Sequence, residues 1–461
     1  MRAAPPPPLA AHTTPLSRFL GIALDALRTG AEERGGPLPA GGPAAVTARV
    51  RDTLGAVLPE TGGGPEEALR TLVHLVAAGA ADPAHPLCAA HLHTPPLAVA
   101  AAADLAATAL NPSMDSWDQA PAASALEAEV TAALAAEVFP SAARPDALVT
   151  TGGTEANQLA LLLARERHGP ALTTVTGAHT HHSVRRAAWL LGLPEPVTLP
   201  APQGVLDPEA VARALAGLDG PVLLAATAGT TDEGLIDPLP ELADACAAHG
   251  AELHVDAAYG GPLLLSRTHR HLLDGLDRAR TVSLDLHKLG WQPAAAGLLA
   301  VRDPADLAAL AHTAAYLNAG DDTEAGLPDL LGRSLRTTRR PDILKAAVTL
   351  RALGRTGLGA LTDLCMERAQ DLADLVEKAP GLELRARPAL TTVLFRPAGA
   401  EDTRVAAIRR TLLTEGRAVL GRARADGRLW LKATLLNPHT TPDDLAQLIS
   451  LVELAEGGTD R

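Results

Sequence analysis

Apolar positions in the first eighty residues recur with the period of a helix. Residues 14–29 place Leu16, Phe19, Leu20, Ala23, Leu24 and Leu27 on one face, which predicts an amphipathic helix. A Gly/Pro-rich stretch at 30–43 breaks the pattern. Further helices are predicted near 44–57 and 65–79, the second opening on Pro65, whose missing N–H costs nothing in a first turn. These segments carry too little apolar material for a core of their own. Residues 1–80 are therefore expected to form a helical arm packed on something larger, with the first dozen residues as a loose tail.

The pattern changes from about residue 146. Short apolar, β-leaning runs recur (DALVTT, ALTTVTGA, PVTLP, VLLAATA, ELHVDAA, TVSLDL, AAGLLAV), separated by helical stretches such as 155–167 and 237–249. Continuous apolar strands alternating with helices are what a mostly parallel sheet covered on both faces requires. After about 345 come a long helical region, the strand TTVLFRP and a helix near 403–415. A hairpin then pairs RAVLGRA with RLWLKATLL around Asp426-Gly427, and a final helix starts at Thr441-Pro442-Asp443-Asp444. The expectation is an α/β protein with three parts: the arm (1–80), a large domain with the parallel sheet (81–345) and a small α+β domain (346–461).

Composition narrows the class of function. A balance of 53 acidic against 40 basic residues, −13 overall, argues against a nucleic-acid or anionic-membrane surface. No apolar run approaches the roughly 18 residues of a membrane helix, and the proline-rich start has no signal-peptide core. Cys88, Cys246 and Cys365 are too far apart in sequence to suggest a disulfide framework or a zinc knuckle. A soluble, reduced, cytoplasmic protein is expected. Of the 40 basic residues only Lys288, Lys345, Lys378 and Lys432 are lysines, and the only tyrosines are Tyr259 and Tyr316. In a chain that has drifted toward Arg and Ala, each of these six is unlikely to be filler.

Four segments are predicted at the C-terminal ends of strands, where open α/β sheets collect ligands. Thr151-Gly152-Gly153-Thr154 leads from a strand into a helix, whose free N–H groups suit a phosphate. It has neither the Lys of a Walker loop nor the spacing of a dinucleotide fingerprint. Asp256, in His254-Val255-Asp256-Ala257-Ala258-Tyr259, emerges after an apolar lead-in. It can serve a cation, a helix cap or a metal. Lys288, in Ser283-Leu284-Asp285-Leu286-His287-Lys288, ends another apolar run. There it can pair with a carboxylate or, unlike Arg, form a Schiff base. His179-Thr180-His181-His182 reads as a metal site or as a ring that stacks on an aromatic ligand, and no further Cys, Asp or Glu cluster completes a metal set. A phosphate cradle, a stacking ring, an acid for a pyridinium nitrogen and a Schiff-base lysine, in that order, together describe a pyridoxal 5′-phosphate site.

Together, HVDAAYGG and SLDLHKLGWQP resemble the group II pyridoxal-phosphate-dependent decarboxylases, the family of the glutamate, aromatic-amino-acid and diaminobutyrate enzymes. The resemblance extends over about residues 90–450, and LNPSMDSWDQAPAASALE and AAYLNAGDDTEAGLPDLLGRSLRTTRR look most like its diaminobutyrate and lysine branch. It implies the fold of the type I pyridoxal-phosphate enzymes and a homodimer with shared active sites, which the arm would clasp. By motif, Lys288 would hold the cofactor covalently, Asp256 would face its ring nitrogen, His181 would stack on one ring face and Ala258 would pack on the other. Gly153, Thr154 and His287 would contact the phosphate, and Thr227 would lie near the ring. Asp285 stands where many relatives have Asn, and a carboxylate beside a phosphate would repel it. Tyr316 matches a mobile-loop tyrosine that protonates the product carbon in the partner's site.

For the substrate, the same alignment brings His91-Leu92-His93-Thr94 and Asp115-Ser116-Trp117-Asp118-Gln119 to the distal pocket, with His93, Thr94, Trp117 and Asp118 as the contacts. Asp115 or Asp118 would hold the second ammonium of a diamino acid such as 2,4-diaminobutyrate or lysine, or would cap local helices. Decarboxylation of aspartate, glutamate or an aromatic amino acid is the alternative within the family, and an aminotransferase or other lyase of the same fold the alternative outside it.

Overall fold

The structure is a computed structural model that describes residues 7–314 and 316–458; part of the expected N-terminal tail lies outside the described residues. The arm forms as its periodicity predicts, with helices α1 (Thr13–Arg34), α2 (Gly42–Leu54) and α3 (Pro65–Gly79). Gly30 lets α1 and α3 approach closely: a Cβ there would lie 2.6 Å from the His74 carbonyl oxygen. Leu24, Leu27, Leu72 and Val76 of this arm stay exposed. A two-residue strand β1 (Cys88–Ala89) and helices α4 (Ala98–Leu110) and α5 (Pro121–Val138) lead into the large sheet.

That sheet contains β2 (Asp146–Thr150), β3 (Thr173–Gly177), β4 (Val197–Leu199), β5 (Val222–Thr227), β6 (Glu252–Ala257), β7 (Thr281–Asp285) and β8 (Gly297–Val301). Their spatial order is β2-β8-β7-β6-β5-β3-β4. Strands β4, β3, β5, β6 and β7 pair in parallel, and β8 runs antiparallel between β7 and β2. The crossover helices are α6 (Gly153–His168), α7 (His182–Leu190), α8 (Pro208–Ala216) and α9 (Leu239–His249). Alternate residues of the strands serve opposite faces. Ala147, Val149, Leu224 and Ala226 join the core made with α5, α8 and α9, while Leu148, Leu223 and Ala225 pack against α6 and α7. With both faces covered, neither can be polar, which is why these strands read as unbroken apolar runs.

A short helix α10 (Gly320–Glu324) precedes α11 (Ile343–Lys378), whose two parts meet at Gly354, φ 62°. The small sheet follows with β9 (Leu382–Leu384), β10 (Thr392–Pro397), β11 (Val419–Ala425) and β12 (Arg428–Thr434), covered by α12 (Asp402–Thr414) and α13 (Pro442–Gly458). The β11–β12 hairpin turns where expected, with positive φ at both Asp426 and Gly427, as its two-residue loop requires. Thr441 and Asp444 cap α13 reciprocally: the Asp444 carboxylate accepts from the Thr441 N–H at 2.8 Å, and the Asp444 N–H donates to Thr441 Oγ1 at 3.3 Å.

One pairing crosses the expected boundary at residue 345. Strand β1, from the N-terminal side, lies parallel to β11 in the small sheet. Side chains join the two layers as well. Tyr259 Oη, at the end of β6, lies 2.7 Å and 2.9 Å from Thr391 Oγ1 and Thr392 Oγ1. Trp291 Nε1 and Thr94 Oγ1 both donate to the Leu436 carbonyl, at 2.9 Å and 3.2 Å.

Arg339 anchors the segment that follows α10, donating to both oxygens of Glu127 on α5 at 2.6 Å and 2.7 Å, with both residues 4% exposed. Arg339→Met leaves a buried carboxylate unpaired and is expected to cost about 3–5 kcal/mol in denaturant unfolding. Arg339→Met combined with Glu127→Leu is expected to recover most of that loss.

Candidate active site

Strands β2, β3, β5, β6 and β7 all end on one edge of the sheet, and between β3 and β5 the strand order reverses. A crevice must open at such a reversal, because the chains leaving the two neighbours diverge. The strand ends and the turns after them bring together Gly152, Gly153, Thr154, His181, Thr227, Asp256, Ala258, Asp285, His287 and Lys288 around a cleft of about 390 Å³. Eight of these carry a role assigned from the sequence motifs; Gly152 and Asp285 do not. Gly152 needs its glycine backbone, since at φ 155° a Cβ would sit 3.0 Å from His287 Cε1, and one on Gly153 would sit 2.8 Å from Ala258 Cβ. The bare turn lets the start of α6 lie directly against the ends of β6 and β7.

Lys288 Nζ stands 2.8 Å from Asp285 Oδ2, and the Asp285 side chain is 3% exposed. His287 donates from Nδ1 to the Ala296 carbonyl at 2.9 Å, which directs its Nε2 toward the same carboxylate, 3.6 Å away. A carboxylate this deep is tolerated because a cation and a polarisable ring adjoin it. Asp285 Oδ1 and Thr227 Oγ1 are buried without a hydrogen-bond partner.

Asp256 is 6% exposed and held from two sides: the Ala258 N–H donates to Oδ1 at 3.1 Å and Asn157 Nδ2 donates to Oδ2 at 2.7 Å. Behind it lies a closed polar cluster of Asn157, Ser183, His254, Thr281 and Ser283, each 1% exposed or less. His181 caps α7 and reaches this cluster through Ser183 Oγ, 2.8 Å from its Nδ1. Burial holds its imidazole below the usual histidine value; the Asp256 carboxylate opposes the shift. The neighbouring histidines diverge: His179 Nε2 is 3.1 Å from the buried Asp237, which also accepts from the Thr227 N–H at 2.7 Å, and His182 is exposed. Among the described residues no group of three or more His, Cys, Asp and Glu side chains could hold a metal ion.

Two residues that sequence reasoning left without a role belong to the site. Asn157 is one; its sequence signal is weak, because a polar residue one turn into a helix is ordinary. Lys432 is the other, on β12 and lining the cleft, 8% exposed, with Nζ donating to the Thr231 carbonyl at 3.0 Å. The available signal was a lysine within the apolar run RLWLKATLL, in a chain that otherwise uses arginine.

Of the residues expected in the distal pocket, His91 and Leu92 line this cleft, and the others do not within one chain. Thr94 is buried and shares the Leu436 carbonyl with Trp291, His93 is exposed, and Trp117 lines a separate hollow with Arg144, Asp329 and Arg333. The Asp118 carboxylate accepts from Ser116 Oγ at 2.6 Å and Asp115 from Gln119 Nε2 at 2.7 Å, so each has a local partner. Tyr316 is 81% exposed, on a segment organised by Asn318, whose Nδ2 donates to the His312 carbonyl and to Asp329.

The residues present fit pyridoxal 5′-phosphate. A glycine turn at a helix start suits a phosphate, a buried carboxylate suits a protonated ring nitrogen, and the unpaired Thr227 hydroxyl and the Lys288 amine both border the same space. Asp285 is the one anion at odds with a phosphate there.

Comparison with known proteins bears on the same residues. The profile described as the pyridoxal-dependent decarboxylase conserved domain matches residues 65–398. An L-2,4-diaminobutyrate decarboxylase from Rhizobium meliloti strain 1021 is 41% identical over 411 residues, 86% of this chain and 83% of that protein. Its counterpart from Acinetobacter baumannii is 32% identical over 432 residues, 86% and 84% of the two chains. Among solved structures, the glutamate decarboxylase domain of the diaminobutyrate-pyruvate transaminase and L-2,4-diaminobutyrate decarboxylase from Vibrio parahaemolyticus superposes with a TM-score of 0.85 at 32% identity, covering 96% of each chain. Mouse CSAD superposes with a TM-score of 0.85 at 26% identity, covering 96% of this chain and 99% of that one.

Proposed function

Because this chain belongs to the pyridoxal-dependent decarboxylase family, as an enzyme that removes the carboxylate of an amino acid, we propose that its substrate is a diamino acid, with 2,4-diaminobutyrate first. The observation that carries the substrate is the 41% identity to a diaminobutyrate decarboxylase over most of both chains. Bound pyridoxal 5′-phosphate supplies an electron sink for the pair left behind when CO2 departs. The chain's own residues do the rest.

Lys288 is the anchoring amine and must lose a proton from Nζ before it can attack a carbonyl carbon; Asp285 Oδ2, 2.8 Å away, is the nearest base. Asp256, which accepts hydrogen bonds from Asn157 Nδ2 and the Ala258 N–H, would pair with the cofactor's ring nitrogen and favour a proton there. Gly153, Thr154 and His287 would hold the phosphate, Thr227 would border the ring, and His181 and Ala258 would pack against it, all of them lining the one cleft. Lys432 Nζ, with donors beyond the one used on Thr231, holds the substrate carboxylate. Orientation of that carboxylate relative to the ring decides which bond breaks.

Tyr316 acts from the partner in a homodimer. Its exposure at 81% and its absence from the lining of its own cleft fit a side chain that completes another subunit's site, and the exposed Trp117, Asp118 and His93 fit contributors to the distal pocket there; the buried Thr94 would support that pocket from within its own chain. The exposed apolar side chains of α1 and α3 fit an arm that clasps that partner. The free cysteines Cys88, Cys246 and Cys365 suit a reducing compartment such as the cytoplasm. No helix among the described residues is long and apolar enough to cross a membrane.

Incubating the cofactor-loaded protein with a panel of amino acids while measuring CO2 and amine tests the substrate. Release from 2,4-diaminobutyrate is expected, and release from glutamate or aspartate alone would replace this reading. Lys288→Ala should abolish both turnover and the borohydride-reducible visible absorbance. Lys432→Met should raise KM roughly 10- to 100-fold, the loss of one charge-assisted hydrogen bond. Tyr316→Phe should lower the ratio of amine to CO2, with aldehyde, ammonia and peroxide appearing under oxygen. Mixed dimers of Tyr316→Phe with Lys288→Ala should form amine at a higher amine-to-CO2 ratio than Tyr316→Phe alone, while Lys288→Ala alone forms none; no rise in that ratio would refute the shared site.

A further inference from the structure

Asn157 is wholly buried on α6, and all four of its hydrogen-bonding positions are filled. Nδ2 donates to Asp256 Oδ2 at 2.7 Å and to Ser183 Oγ at 2.9 Å. Oδ1 accepts from Ser283 Oγ at 2.5 Å and lies 2.9 Å from His254 Nε2. The amide cannot be turned round, because an ionised carboxylate only accepts and the edge facing Asp256 must be the NH2.

The sense of every neighbouring bond follows. Ser183 Oγ accepts the second Nδ2 hydrogen, so its own hydrogen goes to His181 Nδ1, 2.8 Å away, toward which the Ser183 backbone N–H also points at 3.4 Å. A ring nitrogen that accepts carries no proton, so the neutral imidazole bears its hydrogen on Nε2. Burial favours that neutral form; Asp256 and Asp285 oppose it, and His182 and Lys288 assist it. On the other side His254, its pKa pushed down to about 4 by desolvation, is also neutral. It donates from Nε2 to Asn157 Oδ1 and accepts at Nδ1 from Thr281 Oγ1, 2.9 Å away.

We propose that Asn157 is a positioning residue that couples the two groups beside the cofactor, aiming Asp256 at the ring nitrogen and, through Ser183, locking His181 as the Nε2–H tautomer. The cleft is then presented with an N–H that can donate a proton or hold a carboxylate and that cannot act as a base. The part concerning the ring nitrogen rests on the pyridoxal phosphate reading; the tautomer of His181 does not.

Ser183→Ala cuts only the step from Asn157 to His181, and Ser183→Thr restores a hydroxyl. With histidine ring nitrogens labelled with 15N in the cofactor-free protein, His181 is expected to show a bare Nδ1 and a protonated Nε2. Ser183→Ala should give a mixture of tautomers, and Ser183→Thr should return the single form. An unchanged single tautomer in Ser183→Ala would overturn the lock. Asn157→Leu is expected to weaken pyridoxal phosphate binding about tenfold or more, followed by visible absorbance. Wild-type affinity in that variant would overturn the coupling to Asp256. If Asn157→Leu does not fold, Asn157→Ser carries the same expectation. A wild-type protein that takes up no pyridoxal phosphate refutes the function instead, and the nitrogen spectra still decide the tautomer.

Discussion

Two carboxylates, Asp256 and Asp285, are buried at neighbouring strand ends, and the site is organised around giving each of them partners inside the protein. An isolated buried carboxylate would take up a proton rather than bear the loss of hydration. Asp285 has the Lys288 amine at 2.8 Å, Asp256 an amide N–H from each side. The two solutions differ in what they leave available. Asp285 holds a flexible amine that borders the cleft, whereas Asp256 is held by a side-chain amide and a backbone N–H that are fixed in place.

The parallel sheet makes this arrangement possible. Strands that run the same way deliver their C-terminal ends to one edge, so residues far apart in sequence meet without any one loop spanning the site. Thr151 and Lys288 are separated by most of the large domain and border one cleft. The antiparallel β8 belongs to the same logic: by returning between β7 and β2 it seats the glycine turn beside the lysine turn. The small sheet then closes over the edge through Tyr259, Trp291 and Thr94 and brings Lys432 into the cleft.

The chemistry-bearing segments were legible because strand-end motifs are local: a few consecutive residues carry both the backbone geometry and the functional group. Asn157 and Lys432 were not: the neighbours of Asn157 do not distinguish it, and the apolar run around Lys432 marks it as unusual without saying which site it enters. Asn157 matters because β6, β7 and α7 converge on it, and Lys432 because β12 lies over an edge of a different sheet. Trp117, Asp118 and Tyr316 have the opposite character. Their segments carry strong family resemblance, yet within one chain they lie outside the cleft, as residues serving a second subunit would.

By itself the sequence determined the alternation of strands and helices, the Asp426-Gly427 hairpin, the arm and the order of the motifs, because each follows from periodicity or from the backbone freedom of a few adjacent residues. Only the tertiary structure decided that β1 joins the small sheet and that β8 runs antiparallel. It also decided that His181 Nδ1 meets Ser183 Oγ and which of the scarce lysines besides Lys288 enters the cleft. Those outcomes depend on partners brought close by packing, and a buried hydrogen bond has no direction until both of its ends are in place.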